Sequence, residues 1–160
     1  MRKRKEFVMP SCCFTGHRRI SAEQKRLLIK KLDKLLDTLS ARGINHYICG
    51  GALGFDTLAA QVVLQKKRLD PAITLTLALP CKDQCAAWTP RQKREYQTIL
   101  RAADETIYLS ERYLPGCMHA RDTFMVDHAN ILIAHYRGTP GGTQYTYLYA
   151  EKKGLEIINL

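Results

Sequence analysis

Three short segments hold residue types suited to gripping a phosphorylated ligand. Gly50-Gly51-Ala52-Leu53-Gly54-Phe55-Asp56 joins an apolar run to an amphipathic one. Glycines in such a turn let a backbone approach a phosphate, and the following helix start offers free N–H groups and a favourable dipole. The spacing is GGxxG, not the GxGxxG of dinucleotide enzymes, so ordinary NAD(P) dehydrogenase chemistry is not supported. Asp56 either caps that helix or accepts a hydrogen bond from a ribose or base. A second glycine turn, Gly138-Thr139-Pro140-Gly141-Gly142-Thr143, has the same placement, with Thr143 and Thr146 as hydroxyl partners for a phosphate. The third segment, Thr15-Gly16-His17-Arg18, sets a hydroxyl, an imidazole and a guanidinium after an apolar run. The guanidinium of Arg18 suits a phosphate because its donors form a fixed fork. His17 is either an acid–base group or an exposed turn residue.

Other residues carry two readings each. Trp88, the single tryptophan, either stacks on a base or plugs the helix that follows it; Gln84 lies one turn earlier and is placed to read a base edge. In the mixed segment Glu111 to Asp122, Arg121 either meets an anion or pairs with Asp122 or another acid. Should the protein be an enzyme, Arg121, Asp56 and Glu111 are the catalytic candidates. Tyr145 and Tyr149 share a helical face, as packing or as a stack. The six cysteines include no CxxC pair, and Cys81 and Cys85 are spaced CxxxC without a second pair, so neither zinc nor a disulfide framework is expected.

These groups need a scaffold, and the pattern supplies one. Short apolar runs at Ser11–Thr15, Ile44–Cys49, Ile73–Leu79, Glu105–Leu109, Ile131–His135 and Leu155–Ile158 read as strands. Helical periods lie between them. Leu28, Leu32, Leu35, Leu36 and Leu39 mark one face of the first helix, with Ser21 and Gln24 forming a capping box and Gly43 a stop. Thr89, Pro90 and Gln92 open a later helix in the same way. Alternation of this kind implies an α/β fold: a single doubly wound, mostly parallel sheet of about six strands, Rossmann-like, with helices on both faces. Ligands of such sheets bind beyond the carboxyl ends of the strands, where all three segments fall.

Composition limits the class further. A chain of 160 residues with 46% hydrophobic residues is one domain with an adequate core; residues 1–10 read as a basic N-terminal segment and 11–160 as the domain. No apolar run reaches the roughly 18 residues of a membrane span, and no signal-peptide core is visible, so a cytoplasmic protein without a membrane partner is expected. The net charge of +10 favours anionic partners, nucleotides or nucleic acid.

Taken together, Thr15-Gly16-His17-Arg18, Gly50 to Ala60, Arg121-Asp122-Thr123-Phe124-Met125-Val126-Asp127 and Gly141-Gly142-Thr143 resemble the YpsA-like branch of the SLOG superfamily. That superfamily is Rossmann-like and also holds the DNA-processing protein DprA and the Lonely Guy phosphoribohydrolases. The resemblance implies a nucleotide or nucleotide-derived ligand, ADP-ribose among them, at the glycine turns. Met118-His119-Ala120-Arg121 is similar to the Met-His-x-Arg segment of the Lonely Guy enzymes. Their PGGxGTxxE motif ends in a catalytic glutamate, but Pro140-Gly141-Gly142-Thr143-Gln144-Tyr145-Thr146 is shorter and sets Thr146 at that place. A homodimer is implied by that resemblance alone.

The expected function is therefore binding or sensing of a nucleotide-type ligand. Gly50, Gly51, Gly54, Gly141, Gly142 and Thr143 would hold phosphate, Arg18 and Arg121 would neutralise charge, and Asp56 would orient the sugar. The alternatives are N-glycosidic hydrolysis of a nucleotide and DprA-like binding of single-stranded nucleic acid.

Overall fold

A computed structural model describes residues 9–160; most of the basic N-terminal segment lies outside them. Its elements alternate strictly: β1 (Ser11–Gly16), α1 (Ala22–Ala41), β2 (His46–Cys49), α2 (Phe55–Leu69), β3 (Thr74–Leu79), α3 (Pro90–Ala102), β4 (Glu105–Tyr108), α4 (Cys117–Asp127), β5 (Ile131–His135), α5 (Gly142–Lys153) and β6 (Glu156–Asn159). The helix starts follow from local chemistry. Ser21 Oγ accepts from the Gln24 N–H at 3.2 Å while Gln24 Oε1 accepts from the Ser21 N–H at 3.0 Å. Thr89 and Gln92 repeat the exchange at α3, satisfying N–H groups that no helical carbonyl can reach. Gly43 and Gly154 end α1 and α5 at φ +78° and +76°, left-handed positions that other residues adopt at a cost.

The six strands form one all-parallel sheet in the order β4-β3-β2-β1-β5-β6. Alternate strand residues face opposite ways. Phe14, Tyr47, Leu75, Leu77 and Ile133 pack with Leu28, Leu32, Leu36 and Leu39 of α1, with α2, and with Tyr96 and Ile99 of α3. Cys13, Ile48, Ala78, Leu132 and Ala134 meet Met125 and Val126 of α4 and Ala150 of α5 on the other face. Three helices therefore cover one face and two the other, as right-handed crossovers demand when the chain builds outward from β1 to β4 and then returns beside β1. The return sets β5 parallel to and against β1, and the direction in which successive strands are added reverses there. This is the switch point at which α/β sheets open a crevice.

Candidate functional site

A cleft of about 380 Å³ opens at the carboxyl ends of β1 and β5. Thr15, Gly16, His17 and Arg18 from the end of β1 and its turn form one wall. Thr139, Pro140, Gly141, Gly142 and Thr143 ahead of and at the start of α5 form another, Ala52 and Asp56 contribute from the β2–α2 turn, and Met118, His119, Arg121, Asp122 and Met125 come from α4.

The floor is a buried charge cluster. Arg121 Nε donates to Asp122 Oδ1 at 2.6 Å, and both side chains are at least nine-tenths buried. Arg121 Nη1 donates to the Gly50 carbonyl. Burial alone would lower the Arg121 pKa, but Asp122 and Asp56 reverse this and hold the guanidinium charged. Asp56 Oδ2 accepts from the Ala52 N–H at 3.2 Å. Burial pushes the Asp56 carboxyl up to about 6, against the opposing pull of Arg121. Arg121 thus has the second of its two sequence readings, the pair with Asp122, while still bordering the cleft.

The two glycine turns do different work. At Gly50 a Cβ would lie 2.7 Å from Arg121 Nη1; at Gly51, where φ is +67°, it would lie 2.5 Å from Leu79 Cδ2; at Gly54, where φ is +79°, it would strike the Arg18 carbonyl. None of the three lines the cleft. Their bareness lets Arg121, Leu79 and the Arg18 backbone close in, which gives each of them a packing role. The second turn is open: among the described residues, a Cβ at Gly141 or Gly142 would meet nothing within 4 Å. Gly141 is the N-cap of α5 and carries no side chain to satisfy the first N–H groups, which leaves them available to an anion.

Three expectations are corrected. Thr146 is fully buried and donates its hydroxyl to the Gly142 carbonyl at 3.0 Å, inside its own helix and away from the cleft. Trp88 packs edge-on against Tyr96, 5.2 Å between ring centres, as the plug of its second reading. Glu111 is exposed and pairs with Lys82 at 2.9 Å outside the cleft. Thr15, Gly16, His17, Arg18, Asp56, Arg121, Gly141, Gly142 and Thr143 do come together. His17 Nε2 accepts from the Arg137 N–H at 3.1 Å, tying the β1 turn to the loop before α5 and requiring an imidazole that bears its proton on Nδ1. Lining residues absent from the sequence-derived site include Phe14, Ala52, Met118, His119, Met125, Thr139 and Pro140; Asp122 was foreseen as a partner of Arg121. His119 was visible only inside its Met-His-x-Arg resemblance; its stacking partner, Tyr145, belongs to another helix.

Among the described residues, no group of three or more His, Cys, Asp or Glu side chains is placed to hold a metal ion. All six cysteines are free thiols, five of them buried, and burial raises Cys12 to about 12. No described helix is long and apolar enough to cross a membrane.

Comparison with known proteins then fixes the lineage. The model of the YspA SLOG family matches residues 12–157. The chain belongs to the YspA SLOG family. Among similar proteins is the SPbeta prophage-derived protein YoqJ of Bacillus subtilis (strain 168), 32% identical over 141 residues, covering 78% of this chain and 82% of that protein. The UPF0398 protein BH1768 of Halalkalibacterium halodurans is 27% identical over 127 residues, covering 78% and 67%. Solved structures share the fold of this SLOG chain. DNA processing protein A (DprA) of Streptococcus pneumoniae superposes with a TM-score of 0.68 at 18% identity, and that of Helicobacter pylori with 0.68 at 19%. The matches cover 93% and 94% of the present chain but only 49% and 64% of those proteins. A third structure, TM1055, superposes with a TM-score of 0.61 at 17% identity, over 93% and 72%.

Proposed function

We propose that the switch-point cleft binds a nucleotide-type ligand, a nucleoside phosphate or an ADP-ribose-like molecule, and that the protein serves as a cytoplasmic binding or sensing module for it. The observation that carries this reading is the uncapped N-terminus of α5, which opens through Gly141 and Gly142 into a cleft bordered by Arg18. A phosphate there receives backbone N–H groups, the helix dipole and a guanidinium fork. Asp56, at the floor, is placed to accept from a sugar hydroxyl. Hydrolysis of the glycosidic bond is not part of the proposal: Thr146, at the place of the Lonely Guy glutamate, is buried in its helix, and losing a general base typically forfeits about 10²–10⁴ in rate.

The test is a thermal-shift screen over nucleoside monophosphates, NAD and ADP-ribose. A ligand at 100 times its dissociation constant adds about 2.7 kcal/mol. Stabilisation by at least one of these compounds, lost in Gly142→Val, is expected; no stabilisation by any of them refutes the reading.

A second reading, single-stranded nucleic acid, is favoured by a neighbouring groove of about 780 Å³. Arg18 borders both cavities, and Arg19, Lys25 and Arg91 line the groove, with Glu95 the one acid there among the described residues. The DprA of Helicobacter pylori, which shares this fold, binds single-stranded DNA. Binding of this kind loses affinity steeply with salt, with a slope of about −0.7 per phosphate neutralised; a mononucleotide in the cleft depends on salt far less.

A further inference from the structure

We propose that His119 forms a base-binding subsite, a stacking face for the planar ring of a nucleotide whose phosphate sits at the start of α5. The proposal rests on the cleft reading above and adds where the base goes and what selects it.

His119 lies in the first turn of α4, is exposed, and borders the cleft. Its ring lies 4.0 Å from that of Tyr145, tilted by only 11°. Tyr145 belongs to the first turn of α5, the same turn that presents the open N–H groups. One face of the imidazole is therefore covered by tyrosine, which leaves the opposite face for a ring entering the cleft that His119 borders. The support behind it is fixed. The Tyr145 hydroxyl is 3.3 Å from Thr123 Oγ1, and Tyr149 lies parallel to Tyr145 at 2°, with its own hydroxyl donating to Asp127 at 2.7 Å. A ring already stacked on a neighbour has less rotamer freedom to lose when a ligand arrives, which lowers the cost of binding.

The surroundings say what kind of ring fits. Met118, beside His119 on the same wall, supplies a polarizable thioether that suits an aromatic face. Among the described residues, no Asn or Gln lines the cleft, so no side-chain amide is there to read base edges by paired donor and acceptor. The subsite takes any planar base by its area, purines more tightly than pyrimidines.

The experiment is calorimetric titration of wild type, His119→Ala and His119→Phe with AMP, UMP and ribose 5-phosphate, the last having phosphate and sugar but no base. His119→Ala is expected to weaken AMP by about tenfold, the scale of one lost base–aromatic stack. It should leave ribose 5-phosphate within about twofold, and His119→Phe should recover AMP affinity while wild type prefers AMP to UMP. Equal losses for AMP and ribose 5-phosphate, no loss for AMP, or no recovery with phenylalanine would each overturn the subsite while the cleft stands. If wild type binds neither AMP, UMP nor ribose 5-phosphate, the subsite falls; the reading of the cleft falls with it when NAD and ADP-ribose fail to bind as well.

Discussion

Replacing Asp56 by asparagine should change how the protein's stability responds to pH, and in an unusual direction. Asp56 is buried, and its carboxyl titrates near 6 instead of its ordinary 3.8. Burial is the largest cause; Arg121 and the Ala52 N–H oppose it, Asp122 adds to it, and Arg18 contributes a weaker opposing field. At about 1.4 kcal/mol per pH unit, ionising this group in the fold costs on the order of 3 kcal/mol more than in the unfolded chain. Between about pH 4 and 6 the native state binds more protons than the unfolded one, so the Asp56 contribution to stability falls as pH rises and is absent above about pH 6 to 7. His135 acts the other way. Burial, with the charge of Arg137, lowers its pKa, so its contribution is lost as pH drops below about 6.5. Because both variants keep His135, subtraction isolates Asp56. Urea unfolding of wild type and Asp56→Asn at intervals from about pH 4 to 8 gives the difference directly. The wild-type advantage should shrink by on the order of 2–3 kcal/mol from the acid to the alkaline end. A flat difference would refute the reasoning, and one that grows with pH would show that Arg121 outweighs burial.

Other outcomes follow from the same geometry. Gly142→Val should keep the wild-type melting temperature within about 2 °C, since its Cβ enters open space, yet abolish stabilisation by nucleotides; retained binding in a folded variant would remove the α5 turn from the site. Gly54→Ala should cost more than about 3 kcal/mol in urea unfolding, because its Cβ strikes the Arg18 carbonyl at a positive φ; wild-type stability would contradict that packing. Thr146→Glu should destabilise by several kcal/mol or more, because the position is fully buried, and should not create a hydrolase; release of free base from AMP by a folded variant would show the opposite. In the native protein Cys85, the half-buried thiol, should react with a thiol reagent well before the other five, which a mass-spectrometric time course can follow.

The sheet was legible because its signals are local. Apolar runs, two capping boxes and terminal glycines each fix an element from residues a few positions apart, and strict alternation then dictates a parallel sheet and the site's edge. What was not legible depended on residues far apart in the chain. A GGxxG turn looks the same whether phosphate or protein fills the space above it. The return of Leu79 and Arg121 onto Gly51 and Gly50 sets what those bare positions admit, and no spacing rule shows that. Trp88 was legible as one of two readings, since its partner Tyr96 lies in the helix that follows it. Thr146 illustrates a different failure: a helical threonine has its own carbonyl four residues back as an alternative partner, and it takes that of Gly142. His119 gained its meaning from a ring on another helix.

The placement of β1 beside β5 has a kinetic side. Cys12 pairs with Ile131 and Gly16 with His135, so the central seam closes a loop of about three quarters of the chain. Contacts of such high sequence separation form late and slowly, since loop-closure entropy is spent before they reward it. Until they form, the walls from residues 15–18 and 52–56 face nothing, because the other half of the cleft is still to come from residues 118–143. A chain that has reached only β4 during synthesis lacks this cleft, though it already carries every residue of the neighbouring groove. Binding competence in this cleft therefore waits for residues 118–143 to dock beside β1, and a ligand of the cleft reports on that docking.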